Sequence, residues 1–245
     1  MMRLILLLSI VFLSCNVKVK HPHCAVFSTV GALMRDDTTR TGFFTNVSLF
    51  DKKYEEIEYT TAQGSVFVPN DGTQNCLICR YDTVTLKPIW INVAGGSGGD
   101  GGVNYYTVPP ENAVYVVGYF EGTAYFPKAP GSPWCDTLVS YGMADMFIAK
   151  YSYDKGVLQW VRSGGSAYSD VVFTYNGARH TETYMTVDSI AVTVYANFFG
   201  RSTFDGKFID AKTSGAAVAI SYDKKNGEVK DVRFVTELPA ITKQK

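Results

Sequence analysis

The sequence lacks an excess of either charge, because 23 basic residues balance 23 acidic ones. Electrostatics therefore gives no reason to expect binding to nucleic acid or to an anionic membrane surface. Histidine is scarce, with three in 245 residues, and no Ser/His/Asp order, phosphate-binding loop or zinc-protease signature occurs. We therefore predict no catalytic residues, no cofactor and no metal site.

Long apolar runs are absent after residue 15, so no later segment approaches the roughly 20 residues that a transmembrane helix needs. The first residues differ from the rest. Met1-Met2-Arg3 is a short basic region, residues 4–13 form a short apolar run, and Ser14-Cys15 follows. This pattern predicts a secretory signal peptide over residues 1–14.

The end of that segment, Phe12-Leu13-Ser14-Cys15-Asn16, resembles the lipobox of bacterial lipoproteins in the loose form common in Bacteroidota. The resemblance implies cleavage before Cys15, attachment of lipid to its thiol, and a tether over residues 15–23. We expect an exported chain that the lipid alone holds at the bacterial cell envelope, at the outer membrane. An ordinary secretory signal, with Cys15 discarded, is the alternative.

Four further cysteines remain in the body of the chain: Cys24, Cys76, Cys79 and Cys135. An exported chain can pair such residues in disulfides. Cys76 and Cys79 have the spacing of redox and zinc motifs, but they lie in an apolar, strand-like run. Residues three apart in a strand point to opposite faces, so one metal ion would not reach both. We predict buried thiols, or one disulfide among the four.

Aromatic and β-branched residues, with 22 glycines, favour strands and turns, and two sequence blocks recur three times in the same order. The first block is 42-GFFTNVSLF-50, 118-GYFEGTAYF-126 and 196-ANFFGRSTF-204. The second block is 77-LICRYDTVTLKPIW-90, 147-FIAKYSYDKGVLQW-160 and 218-VAISYDKKNGEVKD-231. The segments between the blocks vary in length, as insertions in repeat proteins do.

The middle copy predicts four strands, over residues 104–108, 113–120, 146–152 and 157–162. Four short strands with Gly-rich connections are typical of a propeller blade. We therefore predict an all-β, propeller-like domain over residues 24–235, followed by a polar tail over residues 236–245. Its three four-stranded blades would occupy residues 24–95, 96–164 and 165–235.

Four stretches of the middle copy, Ala94–Asp100, Val114–Phe120, Asp145–Tyr151 and Leu158–Trp160, together resemble the SBBP repeat. This bacterial β-propeller-like repeat is frequent in secreted and surface proteins of Bacteroidota, so the resemblance implies that fold and habitat. The family carries no agreed catalytic residues, so none is transferred. Residues 109–112, Pro-Pro-Glu-Asn, depart from the Asp-Ser-Ser-Gly that is usual before the second strand.

Three blades are fewer than the about four to eight that typically close a propeller, which leaves strand edges and sheet faces to be covered. Three explanations stay open: a fragmentary chain, an unrecognised further blade, or a homo-oligomer that closes the ring. The molecular mass in solution tests the homo-oligomer explanation. A mass well above that of the monomer favours closure by oligomerisation, and a stable monomer excludes it.

Several side chains are candidates for function. The motif Ser152-x-Asp154-x-Gly156 resembles a turn of sialidase-type propellers, and closure of a turn explains its residues. Trp90 and Trp160 match between copies and have apolar neighbours, which favours packing between blades over a sugar-stacking platform. Trp134 lies in the insertion 127-PKAPGSPWC-135, which the other copies lack, and is our candidate ligand-binding residue. The loop over residues 51–74 is the second place where specificity can reside.

We therefore expect a non-catalytic envelope lipoprotein whose propeller repeats bind or scaffold a glycan or a protein partner. The competing hypothesis is an envelope glycan hydrolase or lyase on the same fold. It requires acidic, tyrosine and arginine side chains at the mouth of a central funnel. A structural segment of a larger surface assembly is the third hypothesis.

The lipid anchor is tested by Cys15→Ser, which removes the thiol that carries the lipid. In a bacterial host that processes lipoproteins, we expect the unmodified chain to incorporate labelled palmitate and to sediment with membranes. The variant should do neither, whereas Cys24→Ser should behave like the unmodified chain. Incorporation of palmitate into the Cys15→Ser chain would contradict the assignment.

Overall fold

The computed structural model describes residues 34–36, 41–49, 56–61, 64–69, 74–82, 84–85, 88–96, 98–168, 183–212 and 215–236. For Val103 and for the described residues up to Gln74, only the backbone is described. Within these ranges the chain is all-β, with antiparallel sheets and no α-helix, which confirms the predicted fold class at this level. The predicted signal peptide, the tether and residues 237–245 of the polar tail lie outside the described residues.

The described strands are, in chain order, β1 (Met34–Asp36), β2 (Thr41–Leu49), β3 (Glu56–Thr61), β4 (Gly64–Pro69), β5 (Gln74–Asp82), β6 (Pro88–Gly96), β7 (Gly101–Val108), β8 (Ala113–Pro127), β9 (Cys135–Ser152), β10 (Leu158–Gly165), β11 (Tyr184–Val187), β12 (Ala191–Phe198), β13 (Arg201–Phe204), β14 (Lys207–Asp210), β15 (Ala216–Asp223) and β16 (Val229–Phe234). A single 3-10 turn, Pro109–Glu111, separates β7 from β8.

Twelve of these strands form three antiparallel groups of four. Sheet A contains β1, β2, β5 and β6, sheet B contains β7 to β10, and sheet C contains β11, β12, β15 and β16. Strands β7 to β10 lie where the sequence predicts the four strands of the middle copy. Hairpins are inserted between the second and third strand of each group: β3–β4 in sheet A and β13–β14 in sheet C. In sheet B the inserted hairpin is formed by the continuations of β8 and β9 themselves, which pair as far as Pro127 and Cys135.

Each inserted hairpin of sheets B and C is also hydrogen-bonded to the preceding sheet. Residues 95–96, at the end of β6, pair with residues 124–125 of β8. Residues 164–165, at the end of β10, pair in the same way with residues 203–204 of β13. The Gly-Gly pairs that the sequence places after the first and second repeats are thus the points where one sheet joins the next.

Sheet B lies between sheets A and C and buries both of its faces. Along β8, the side chains of Ala113, Tyr115 and Val117 pack against sheet C, whereas those of Val114 and Val116 pack against sheet A. A strand that is covered on both sides needs such a continuous apolar run instead of an alternating pattern. The cores of the protein are therefore the two interfaces between successive sheets.

A buried tryptophan joins sheet A to a turn of sheet B. Trp90 of β6 is fully buried, and its Nε1 donates a hydrogen bond of 3.0 Å to the carbonyl oxygen of Tyr153. The neighbouring Asn92 donates from Nδ2 to the carbonyl oxygen of Gly156 at 3.1 Å. A Cβ atom on Gly156 would lie 2.6 Å from Cδ2 of Trp90, so the turn can approach the indole this closely only with glycine.

The same arrangement joins sheet B to sheet C. Nε1 of Trp160 donates to the carbonyl oxygen of Lys224 at 3.2 Å, and Nη2 of Arg162 donates to that of Asn226 at 2.6 Å. A Cβ atom on Gly227 would lie 2.7 Å from Cδ2 of Trp160. We call this arrangement the tryptophan–turn contact. It occurs twice, in register with the sequence repeat.

The motif Ser152-x-Asp154-x-Gly156 forms the turn of the first of these contacts. The amide of Gly156 donates to the carbonyl oxygen of Ser152 at 3.0 Å, and the amide of Val157 donates to the Ser152 hydroxyl, also at 3.0 Å. The amide of Asp154 donates to Oδ1 of Asn112. The motif is therefore a turn that receives the tryptophan of the preceding sheet.

The importance of the close approach between the Gly156 turn and the Trp90 indole is tested by comparing Gly156→Ala with Gly131→Ala. Both glycines have positive φ, +66° and +69°, but a Cβ on Gly131 meets nothing within 4 Å. Both variants should lose about 1–2 kcal/mol of unfolding free energy from the left-handed backbone. Gly156→Ala should lose about 1–3 kcal/mol more, because its methyl group overlaps Trp90. Urea denaturation measures the unfolding free energy of both variants. Equal losses would show that the turn moves away from Trp90 without a measurable loss of stability.

Candidate binding surface

The candidate residue Trp134 lies in the tip of the β8–β9 hairpin and is 77% exposed. The backbone around it is ordered by local hydrogen bonds. The amide of Lys128 donates to the carbonyl oxygen of Trp134 at 2.7 Å, and the amide of Trp134 donates to the hydroxyl of Ser132 at 3.1 Å. The tip therefore presents a large aromatic side chain on a defined backbone, which is a common property of binding loops.

Further apolar side chains are exposed along the same hairpin. Tyr125, Val139, Tyr141 and Met143 are between 49% and 65% exposed. Together with Trp134 we call them the hairpin surface. Val139 lies diagonally across the β8–β9 ladder from Tyr125, and Tyr141 and Met143 follow in the part of β9 where the register shifts. Exposed large apolar groups are characteristic of interaction sites. The sequence analysis names Trp134 as a candidate and does not name the other four residues.

The hairpin is anchored to the core on its opposite side. Phe126 is buried and packs edge-on against Phe147 of sheet B, with ring centroids 4.9 Å apart. The amide of Leu158 donates to the carbonyl oxygen of Lys128 at 2.8 Å, and the ammonium of Lys128 forms an ion pair with Asp136. The hairpin surface is therefore carried by a supported element and not by a free loop.

The tryptophans that match between the repeats lie in the core. Trp90 is 0% and Trp160 4% exposed, and both indole N–H groups are used in the tryptophan–turn contact. The interpretation as packing between sheets is confirmed, and a sugar-stacking role for these two residues is wrong because no ligand can reach their rings. The side chains of the loop over residues 51–74 lie outside the described part of the structure.

Cys76 and Cys79 are fully buried thiols on β5, and Cys135 is an exposed thiol beside Trp134. Burial, reinforced by the negative charge of Asp100, raises the pKa of the Cys76 thiol far above its usual value. None of these three forms a disulfide, which agrees with the prediction of buried thiols for Cys76 and Cys79. Cys24 lies outside the described residues.

Among the described residues, no three His, Cys, Asp or Glu side chains are grouped so that they could hold a metal ion. All three histidines, His21, His23 and His180, lie outside those ranges. Across the same part of the chain, no helix has the length and apolar character needed to cross a bilayer.

Comparison with known proteins identifies no family for this chain. No protein-family model matches it. No curated protein matches it either. The resemblance to the SBBP repeat therefore rests on the four stretches of the middle copy and stays a prediction.

The difference between the thiols is testable by alkylation. In the native protein, iodoacetamide at about pH 8 should modify Cys135, because its side chain is exposed. Cys76 and Cys79 should react only after unfolding, because burial excludes the reagent from both thiols. At Cys76 the raised pKa also disfavours the reactive thiolate. Peptide mass mapping with and without denaturant reads out each site. Rapid labelling of Cys76 in the native protein would contradict the packing of sheet A on sheet B.

Proposed function

We propose that this chain is a non-catalytic binding or scaffolding module of the bacterial cell envelope. It is exported, and lipid on Cys15 anchors it, as the signal peptide and lipobox-like ending indicate. The observation that carries the binding role is the hairpin surface: Trp134, Tyr125, Val139, Tyr141 and Met143, exposed on an element whose other side is packed into the core.

The three sheets are blades of a propeller-like array in this proposal. Three features support it. Successive sheets pack face to face through the two cores. The first strand of sheet B, β7, lies against the second strand of sheet A, β2, and against the first strand of sheet C, β11. The tryptophan–turn contact repeats between both pairs of sheets.

The chemistry of the hairpin surface favours a protein partner. Tyrosine, tryptophan and methionine are enriched where proteins bind one another, and charged residues are depleted at the centre of such interfaces. The charges of Lys128 and Asp136 in the hairpin neutralise each other in an ion pair. A partner would therefore be recognised by apolar contact, with Trp134 as the most exposed anchor.

The hairpin surface is tested by cross-linking from Cys135, the exposed thiol next to Trp134. A photo-cross-linker is attached to the Cys135 thiol of the mature protein in a Cys24→Ser background. The labelled protein is mixed with envelope extract of the source bacterium, and the mixture is illuminated. We expect a defined protein to be trapped and identified by mass spectrometry. Trp134→Ala should reduce the yield at least several-fold, because the anchor is lost.

The control is Phe208→Ala, which removes a similarly exposed aromatic side chain on β14. It should leave the yield unchanged, and circular dichroism should show both variants folded. A yield that Trp134→Ala does not lower, or that both variants lower equally, would exclude the hairpin as the binding surface.

A further inference from the structure

The inserted hairpin of sheet B has one open edge. Over residues 135–139, β9 pairs with β8 on one side. Strand β10 pairs with β9 only from residue 146 onward, so among the described strands none lies along the other side of this stretch. We call that side of residues 135–139 the hairpin edge. A strand edge of this kind presents unpaired backbone groups with the spacing that a further strand needs.

The register of the hairpin shows which backbone groups point out of the hairpin edge. The amide of Lys128 donates to the carbonyl oxygen of Trp134 at 2.7 Å, so these two residues lie opposite each other as a hydrogen-bonded pair. Hydrogen-bonded and non-hydrogen-bonded pairs alternate in an antiparallel ladder, so the even-numbered residues of the hairpin bond one another. The groups that point out of the hairpin edge are therefore the amides and carbonyls of Cys135, Thr137 and Val139.

The opposite edge of the same hairpin follows this alternation, and it already accepts a strand. Tyr125 and its neighbour Ala124 pair with residues 95–96 of sheet A. The carbonyl of Thr123 points toward that strand, since a Cβ atom on Gly96 would lie 1.7 Å from its oxygen. One edge of the hairpin is thus completed by strand addition within the chain, and the hairpin edge is the edge left to be completed.

The hairpin edge lacks the features with which proteins usually block an open edge, such as lysine, proline or a very short strand. Residues 135–139, Cys-Asp-Thr-Leu-Val, contain no lysine and no proline, and Lys128 neutralises the charge of Asp136. The corresponding strand of sheet C, β14, is different. It spans four residues and begins with Lys207, whose Nζ donates to the carbonyl oxygen of Lys230 on β16. The edge on β9 is therefore the better template for a strand from outside.

The side chains along the hairpin edge suit an extended, uncharged segment. Cys135, Thr137 and Val139 are all exposed, Val139 by 63%. Leu138 points to the other face and is only partly buried against the core. Successive side chains of a strand point to opposite faces. An added strand would therefore place alternate side chains against Val139 and the remaining ones beside Leu138.

From this arrangement we infer that the hairpin edge binds an extended segment of the protein partner, which adds to β9 as a further β-strand. The outward backbone groups supply the hydrogen bonds, and the exposed side chains beside them supply specificity. The segment should lack proline and charge and should carry β-branched or aromatic residues at alternate positions. This inference rests on the proposed function, because it names the form in which the partner is recognised.

A second copy of the chain fits the hairpin edge less well than a foreign segment does. Two copies that paired through this edge would share only residues 135–139 of each. A stable interface buries about 800 Å² on each partner, which is far more than such a short strand provides. A flexible segment of another protein can continue past the edge and also cover the exposed ring of Trp134.

The inference is tested with Thr137→Pro, which removes the outward amide at the centre of the hairpin edge. Proline is tolerated at an edge position whose N–H faces solvent, so the melting temperature should be retained. Thr137→Val keeps the amide and is the matched control. The probes are short peptides selected from a phage-displayed random library on the unmodified mature protein. Thr137→Pro should weaken the binding of at least one of them about tenfold or more, and Thr137→Val should leave it unchanged.

A second measurement needs no variant of the protein. Single N-methyl substitutions along the selected peptide remove one backbone donor at a time. Only alternate residues of an added strand direct their amides toward β9, so binding should fall at every second position. Loss without this period would overturn the inference. A selection that yields no peptide sensitive to Thr137→Pro would overturn it as well.

Cross-linking from Cys135 separates this inference from the proposed function. We expect Thr137→Pro to lower the trapping yield as Trp134→Ala does. If only Trp134→Ala lowers the yield, strand addition is wrong and the binding role stands. If no protein is trapped, the binding role fails and strand addition fails with it. A dimer of the free protein that Thr137→Pro dissociates would assign the hairpin edge to a second copy instead.

Discussion

The tryptophan–turn contact is the interaction on which the arrangement of the sheets depends. A buried indole N–H must find an acceptor, since an unsatisfied donor costs about 1–3 kcal/mol. Trp90 and Trp160 find theirs in the next sheet, at the carbonyl oxygens of Tyr153 and Lys224. Satisfying the donor therefore fixes the position of one sheet on the next. Sheets that met through aliphatic side chains alone could slide, whereas a directional hydrogen bond beneath a glycine turn allows one register.

This contact has a direction, and the direction explains the differences between the three repeats. Each contact needs a tryptophan in the fourth strand of one sheet and a glycine turn in the next sheet. Sheet B supplies both. Sheet A supplies Trp90, and its own turn, residues 82–87, contains no glycine. Sheet C supplies the turn with Gly227 and has Asp231 where the tryptophan would be. The first and third copies thus each lack one half of this contact.

The sequence was sufficient to predict the four strands of the middle copy, the turn and the buried tryptophans, because repetition identifies positions that share one environment. It was insufficient for the hairpin surface. The apolar residues Val139, Tyr141 and Met143 alternate as they would on a covered strand, and periodicity does not reveal whether another element lies over that face.

The way the sheets are joined also determines where binding surfaces can form. The β8–β9 hairpin pairs with residues 95–96 of sheet A and continues the strands of sheet B, so both sheets fix its orientation. A surface held in this way loses little conformational entropy when it binds, and that lowers the cost of association. The same buried contacts that order the array therefore preorganise the surfaces that it leaves exposed.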